Sequence, residues 1–315
     1  MIPSSIQSAL DAAGVQAGRI ELLWWIMFGV CAAVYVAVMI ALGLAVRRGL
    51  AARATETTST VLTRAVSIAV GISTVALVGL LVASAMTGRA IASLNAPDPL
   101  AIQITAKQWW WEVEYLHTTP SMRAITANEL HLPVGRPVLI TLKASDVIHS
   151  FWVPNLHGKM DLIPGRANYV WLRADKRGVF RGQCAEYCGL QHARMSLTVT
   201  VEDNHTFEQW WAAQREPAPP PVSDEQKRGL EIIERGVCAM CHRVAGTAAG
   251  AKFGPDLTHF ATRSTIGAGT VPNRRDHLAR WLDDPQDLKP GNKMPSPKLS
   301  PSDLQAVLAY METLR

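Results

Sequence analysis

Cys184-Ala185-Glu186-Tyr187-Cys188-Gly189-Leu190-Gln191-His192-Ala193-Arg194-Met195 packs two thiols, an imidazole and a thioether into one short run. Soft sulfur donors together with imidazole select copper over magnesium, calcium or manganese. A mononuclear electron-transfer copper takes one Cys, two His and a weak axial Met. This run carries a second Cys, and a second imidazole stands upstream at His149, in Ser145-Asp146-Val147-Ile148-His149-Ser150-Phe151. Two thiolates can bridge two metal ions, leaving one imidazole and one weak ligand for each. Cys184, Cys188, His149, His192 and Met195 therefore read as a dinuclear copper electron carrier. A disulfide or a zinc site competes for Cys-x3-Cys, although zinc, which takes Cys and His in tetrahedral sets, has no use for a thioether at 195.

The flanks of the run indicate what holds it. Leu197, Val199 and Val201 alternate with Ser196, Thr198 and Thr200, a strand with a period of two. Met195 shares parity with the apolar set, so its side chain should point inward. Val138, Ile140 and Leu142 alternate with Leu139, Thr141 and Lys143, predicting a strand that ends near His149. A ligand loop between two strands, with one His delivered by an earlier strand, fits a Greek-key β-sandwich.

A second cofactor signature lies downstream. Cys238-Ala239-Met240-Cys241-His242 reads as covalent c-type haem attachment, with His242 as the proximal iron ligand. A thioredoxin-like redox pair is the competing reading, but no βαβ pattern surrounds the motif. The sixth iron ligand should lie well beyond the motif. Met240 sits inside the attachment loop, and Met311 falls in an apolar helical run better explained by packing. Met294, in Lys293-Met294-Pro295, is the best candidate, ahead of His259 and His277. A Met/His pair raises the iron potential and suits electron transfer. Four of the five cysteines are thereby used, and Cys31 lies in an apolar run where a small buried hydrophobe suffices.

The 315 residues divide by composition. Leu22–Val46 and Ala65–Gly88 carry no charge, and each is long enough to span a hydrocarbon core of about 30 Å. Arg47, Arg48, Arg53 and Arg64 lie between them, so the positive-inside rule puts that loop in the cytoplasm and both termini outside. Trp24 and Trp25 suit an interfacial aromatic belt. No cleavable signal peptide is evident, which leaves open whether the numbering starts at a processed terminus. Residues 1–94 are expected to form a transmembrane helical hairpin (spans about 22–46 and 65–88), and 95–213 the β-sandwich. Pro217, Pro219, Pro220 and Pro221 make 214–222 a semi-rigid linker. Residues 223–315 should form a small all-α haem domain. Ser223-Asp224-Glu225-Gln226 opens its first helix as a capping box that should run to Gly236, and an amphipathic helix covers about Ser302–Leu314. The net charge of +5 is spread between loop arginines and the outer regions and defines no docking patch; a nucleic-acid partner is not expected.

Taken together the chain resembles subunit II of haem–copper cytochrome c oxidases, in the form with a C-terminal cytochrome c domain. Beyond the copper run, Gln108-Trp109-Trp110-Trp111, His149-Ser150-Phe151-Trp152-Val153-Pro154 and Asp161-Leu162-Ile163-Pro164-Gly165-Arg166 carry the likeness. The resemblance implies a multidomain membrane protein: a two-helix transmembrane hairpin, an all-β cupredoxin sandwich and an all-α cytochrome c domain. It implies His149, Cys184, Cys188, His192 and Met195 as side-chain ligands of the dinuclear centre, with the Glu186 carbonyl as a further ligand. The Glu186 carboxylate would bind magnesium at the boundary with subunit I, as a hard ion prefers. Trp109 matches the indole through which electrons enter; packing is the rival explanation for the Trp run. Asp146 and Asp161 match acids near the copper, though in isolation they read as solvated charges. Gly254-Pro255-Asp256-Leu257 resembles the segment whose carbonyl supports the haem His.

The implied activity is electron relay. Electrons would pass from a donor cytochrome or upstream respiratory complex, through haem c and copper, to subunit I among the other oxidase subunits. Oxygen would be reduced to water there, with proton pumping. No His lies in either span, so intramembrane haems belong to a partner. The implied setting is the lipid of a bacterial inner membrane, with the copper and haem domains on the periplasmic side. A copper-containing nitric oxide reductase subunit is the alternative, and a membrane-tethered copper chaperone a further one. The chain departs from the family before the second span, where Thr57–Arg64 replaces an acid and a Trp-Thr-x-x-Pro signature. Glu56 is the nearest acid there, which leaves a part in proton entry in doubt.

Overall fold

Alternating residues become ten strands in the computed structural model, which describes residues 7–51, 59–92 and 96–315. In chain order these are β1 (Leu100–Lys107), β2 (Trp110–Tyr115), β3 (Ala124–Ala127), β4 (Glu129–Pro133), β5 (Val138–Ala144), β6 (His149–Trp152), β7 (Met160–Leu162), β8 (Asn168–Leu172), β9 (Gly178–Cys184) and β10 (Ser196–Glu202). They form two five-stranded sheets, ordered β3-β2-β1-β5-β8 and β4-β10-β9-β6-β7. Inward positions such as Ile102, Ile104, Leu130, Leu132, Ile140, Leu142 and Val199 are fully buried between them.

The chain crosses from one sheet to the other at two points that position site residues and their neighbours. Between β3 and β4 it turns at Asn128 with φ of 61°. Asparagine visits this region at modest cost, and Asn128 brackets Trp111. Its own N–H donates to the Trp111 carbonyl at 2.9 Å, while its Oδ1 accepts from the Trp111 N–H at 2.9 Å. The second crossing departs from expectation. The strand predicted to run to His149 stops at Ala144, and His149 opens β6 in the opposite sheet. The polar pair Ser145-Asp146 satisfies the turning backbone: the Ser145 N–H donates to the Ala106 carbonyl at 3.1 Å and the Val147 N–H to the Asp146 carboxylate at 2.8 Å.

Two helices, α1 (Val15–Ala51) and α2 (Ser59–Ala92), are long and apolar enough to cross a membrane. Their apolar side chains are exposed along most of their length. Residues 18–94 make up a unit of their own. Arg53 and Glu56 lie outside the described residues. The stretch ahead of that unit is bonded to the sandwich, with the Ala13 N–H donating to the Asn155 carbonyl at 2.7 Å.

After β10, α3 (Asn204–Ala213) is capped by Asp203 and buries Phe207 and Trp211 against Tyr115. The proline-rich segment does not swing free. The Ala218 N–H donates to the Ala245 carbonyl at 2.9 Å, and the His259 ring meets the Glu216 carbonyl at 3.1 Å. Next, α4 (Asp224–Arg235) starts at the expected capping box of Ser223 and Gln226 and stops at Gly236. A short hairpin, β11 (Thr265–Ile266) with β12 (Val271–Pro272), precedes α5 (Arg275–Asp283), α6 (Pro285–Leu288) and α7 (Pro301–Met311). Ile233, Val307, Leu308 and Met311 are buried in a second core, so Met311 is a packing residue. Helices and that hairpin are joined by long loops, notably 241–259 and 289–300.

Candidate metal centre and haem site

Strand pairing assembles the sulfur site. Cys184 ends β9, where it pairs with Phe151 of β6, and its N–H donates to the Met195 carbonyl at 2.9 Å. The Ala185 N–H donates to the Ser150 carbonyl at 2.9 Å. These bonds close the base of the loop and bring His149 under it. The two sulfurs lie 3.7 Å apart as free thiols. Cys184 Sγ is 3.8 Å from His149 Nδ1 and 3.2 Å from the Glu186 carbonyl oxygen. Cys188 Sγ is 3.6 Å from His192 Nδ1 and 4.0 Å from Met195 Sδ. Each sulfur therefore has one imidazole and one weak donor beside it. Cys184, Cys188, His149 and Met195 are buried, while His192 is half-buried.

The charge on this donor set calls for a cation. The hydrogen bond with Cys188 comes first, and with His149 it pulls the Cys184 thiol well below its ordinary value against the effect of burial. The same closeness, reinforced by burial, drives Cys188 up. Two protons cannot leave together at this separation unless positive charge replaces them, which a coordinated metal supplies. The residues fit a pair of soft cations.

Asp146 supports His149. His149 Nε2 lies 2.9 Å from Asp146 Oδ1, so Nε2 carries the proton and Nδ1 faces the sulfur. The Gln108 N–H donates to the other carboxylate oxygen at 2.6 Å. Burial works to raise this carboxyl, but the donors from His149, Gln108 and Val147 outweigh it and hold it below its ordinary value. Asp161 lies opposite Ser150 across the β6–β7 pair, and its carbonyl accepts from Asn168. Trp109 is buried, and its indole N–H donates to the Cys188 carbonyl at 2.9 Å, an oxygen that also accepts from the Gln108 side chain at 2.8 Å. Gly189 makes that approach possible. Its φ is 113°, and a Cβ there would stand 3.0 Å from the Trp109 ring. The Glu186 carboxylate is exposed.

The second site is local. Cys238 lies in a single 3-10 turn, Val237–Met240, with Cys241 directly after it, and the His242 N–H donates to the Cys238 carbonyl at 2.9 Å. His242 Nδ1 stands 2.7 Å from the Pro255 carbonyl; because a carbonyl only accepts, Nδ1 carries the proton and Nε2 keeps its lone pair. Burial is the main influence lowering the His242 pKa, favouring the neutral ring that iron binds. Gly254 is required here, since a Cβ would fall 2.6 Å from His242 Cε1. Both thiols are half-buried, and Met294 packs at the edge of the helical core. Met240 is exposed, His259 Nε2 lies 3.1 Å from the Glu216 carbonyl, and His277 Nδ1 lies 2.9 Å from the Pro272 carbonyl. The arrangement of Cys238, Cys241 and His242 suits covalent haem with His242 as an iron donor.

Residues 118–202 match the family model described as cytochrome c oxidase subunit II, periplasmic domain, and residues 226–315 match cytochrome c. The cytochrome c oxidase subunit 2 of Alkalihalophilus pseudofirmus is 37% identical over 238 residues, covering 73% of this chain and 67% of that protein. The chain belongs to the cytochrome c oxidase subunit 2 family. The Bacillus subtilis cytochrome c oxidase subunit 2 is 35% identical over 70% of this chain and 64% of its own length. The chain thus spans about two thirds of these relatives. The crystal structure of the periplasmic domain of subunit II of cytochrome oxidase from Bradyrhizobium japonicum is 31% identical over 38% of this chain and 97% of that one, with a TM-score of 0.35. The two matched domains imply copper and haem. In the sequence alone Asp146 reads as a surface charge unless the resemblance holds, and buried Lys289 carries no signal at all.

Proposed function

We propose that this member of the family is the electron-input subunit of a haem–copper terminal oxidase. It relays electrons from a donor cytochrome to subunit I, where oxygen is reduced to water with proton pumping. Copper on the sandwich and haem on the helical domain supply reversible one-electron chemistry. Cys184 and Cys188 would hold the copper pair through their sulfurs, with His149 and His192 each adding an imidazole and Met195 and the Glu186 carbonyl as the weaker donors. Asp146 fixes the His149 tautomer, and Trp109 is the electron entry, coupled to the loop through its bond to Cys188. Cys238 and Cys241 would hold the haem, with His242 and Met294 as the donors to its iron, a pair that would raise its potential. The exposed Glu186 carboxylate, one oxygen of which accepts from the Tyr187 N–H at 3.2 Å, would take magnesium at the boundary with subunit I. The chain sits in a bacterial inner membrane, with both redox domains on the periplasmic side.

The observation that carries this reading is the placing of one imidazole and one weak donor beside each of two sulfurs 3.7 Å apart. Metal analysis and electron paramagnetic resonance of the detergent-solubilised chain test it. Two coppers, one iron and a mixed-valence copper signal are expected; zinc or a single copper overturns the reading. Met294→Leu should leave the haem attached and shift its spectrum, and an unchanged spectrum reassigns the sixth ligand.

A further inference from the structure

The seam between sandwich and helical domain is built around a buried lysine. Lys289, which comes directly after α6, is 2% exposed. Its ammonium donates to three carbonyls: Trp109 at 2.9 Å, Arg194 at 2.8 Å and Gly267 at 2.7 Å. Three N–H groups meet three acceptors, so every hydrogen bond of the ammonium is made, while burial pulls its pKa down to about 7. Two of the acceptors belong to the sandwich. Trp109 is the residue whose indole holds the Cys188 carbonyl, and Arg194 precedes Met195. The third acceptor lies in the short hairpin of the helical domain.

The loop that carries Lys289 also carries Met294, and internal bonds make it one piece. The Asn292 N–H donates to the Lys289 carbonyl at 3.2 Å, the Met294 N–H to Asn292 Oδ1 at 2.8 Å, and the Gln286 side chain to the Met294 carbonyl at 3.2 Å. Further contacts tie this loop to the copper run. The Arg194 guanidinium donates to the Leu288 carbonyl at 2.6 Å, the Gln191 side chain to the Pro290 carbonyl, and Lys293 stands 3.6 Å from Asp146. Elsewhere on the seam, buried Arg263 stands 3.8 Å from buried Glu129 and donates to the Asp256 carbonyl at 2.5 Å, next to the Pro255 that supports His242.

We propose that Lys289 is a positioning residue, which clamps the Met294 loop onto the Trp109–Arg194 edge of the copper loop and so fixes the haem-to-copper separation. The inference rests on the proposed function. It replaces a tethered, searching cytochrome with a docked one: the proline-rich segment joins two domains whose spacing is set by the seam. Electron transfer falls steeply with separation, so the clamp governs the rate at which one electron leaves ferrous haem for the oxidised copper pair. No bond forms or breaks in that step.

The test uses the full-length, metal- and haem-loaded chain with Lys289→Met, which keeps length and removes all three donors. Amide exchange should rise across 189–196, 266–270 and 286–294 and stay unchanged in α4 and α7, since only the seam opens. Transfer from photoreduced haem to copper should slow about tenfold or more, with each centre's own spectrum preserved. Unchanged seam exchange, or an unchanged transfer rate, overturns the proposal; so does exchange rising throughout the helical core, which marks a purely structural role. If Lys289→Met does not accumulate, Arg194→Ala serves instead. That side chain is exposed, and its loss should give the same pattern at smaller amplitude; no rise in seam exchange overturns the proposal. Metal content is measured first, so failure of the proposed function shows there and not in the seam.

Discussion

The copper loop and the haem loop reach their donor atoms by opposite means. His149 and Cys184 are 35 positions apart and meet only because β6 and β9 pair. Cys238, Cys241 and His242 share one turn and its immediate sequel, and would be neighbours in almost any fold. The first site is largely buried and framed by neighbouring strands of one sheet, whereas the second is half-buried and held within a single local motif. A site made by tertiary pairing should therefore fail through its frame, and one made by a local motif through its immediate contacts.

The largest effect is expected from Cys188→Ser. A hard hydroxyl cannot replace a bridging thiolate, so the mixed-valence copper signal should vanish while the haem spectrum persists. Loss of both together would show that the two sites are not independent. Gly254→Ala is the counterpart on the haem side: its Cβ would collide with His242 at 2.6 Å. The haem should remain covalently held but lose its His-ligated spectrum, with the copper signal intact. Asp146→Asn should be milder. It keeps all copper donors and weakens the hold on the His149 ring, lowering copper affinity about 10- to 100-fold in a competition titration. Smallest is Ser223→Ala, which removes the α4 cap and should cost the helical domain about 1 kcal/mol in denaturant unfolding, with neither metal spectrum changed.

The residues themselves announced the chemistry. The soft side chains at 184, 188, 192 and 195 and the Cys-x2-Cys-His run were legible because residue type and short spacing are properties of sequence, and the two matched domains imply the same copper and haem. The capping box at Ser223 and the alternation from Ser196 to Val201 were equally legible, being local. The end of β5 was misplaced because the alternation around Val138 gave no sign that Ser145 and Asp146 would turn the chain into the other sheet.

What sequence determined, then, is which soft side chains the chain offers, the two membrane-length apolar helices and the order of the two matched domains. Only tertiary structure decided that Asp146 orients His149, that Trp109 grips Cys188, and that Lys289 joins Trp109 across 180 positions. The reason is physical. A ligand's chemistry resides in its side chain, but a buried ammonium is tolerable only where three carbonyls from separate elements converge on it, and no pattern of neighbours along the chain encodes that convergence.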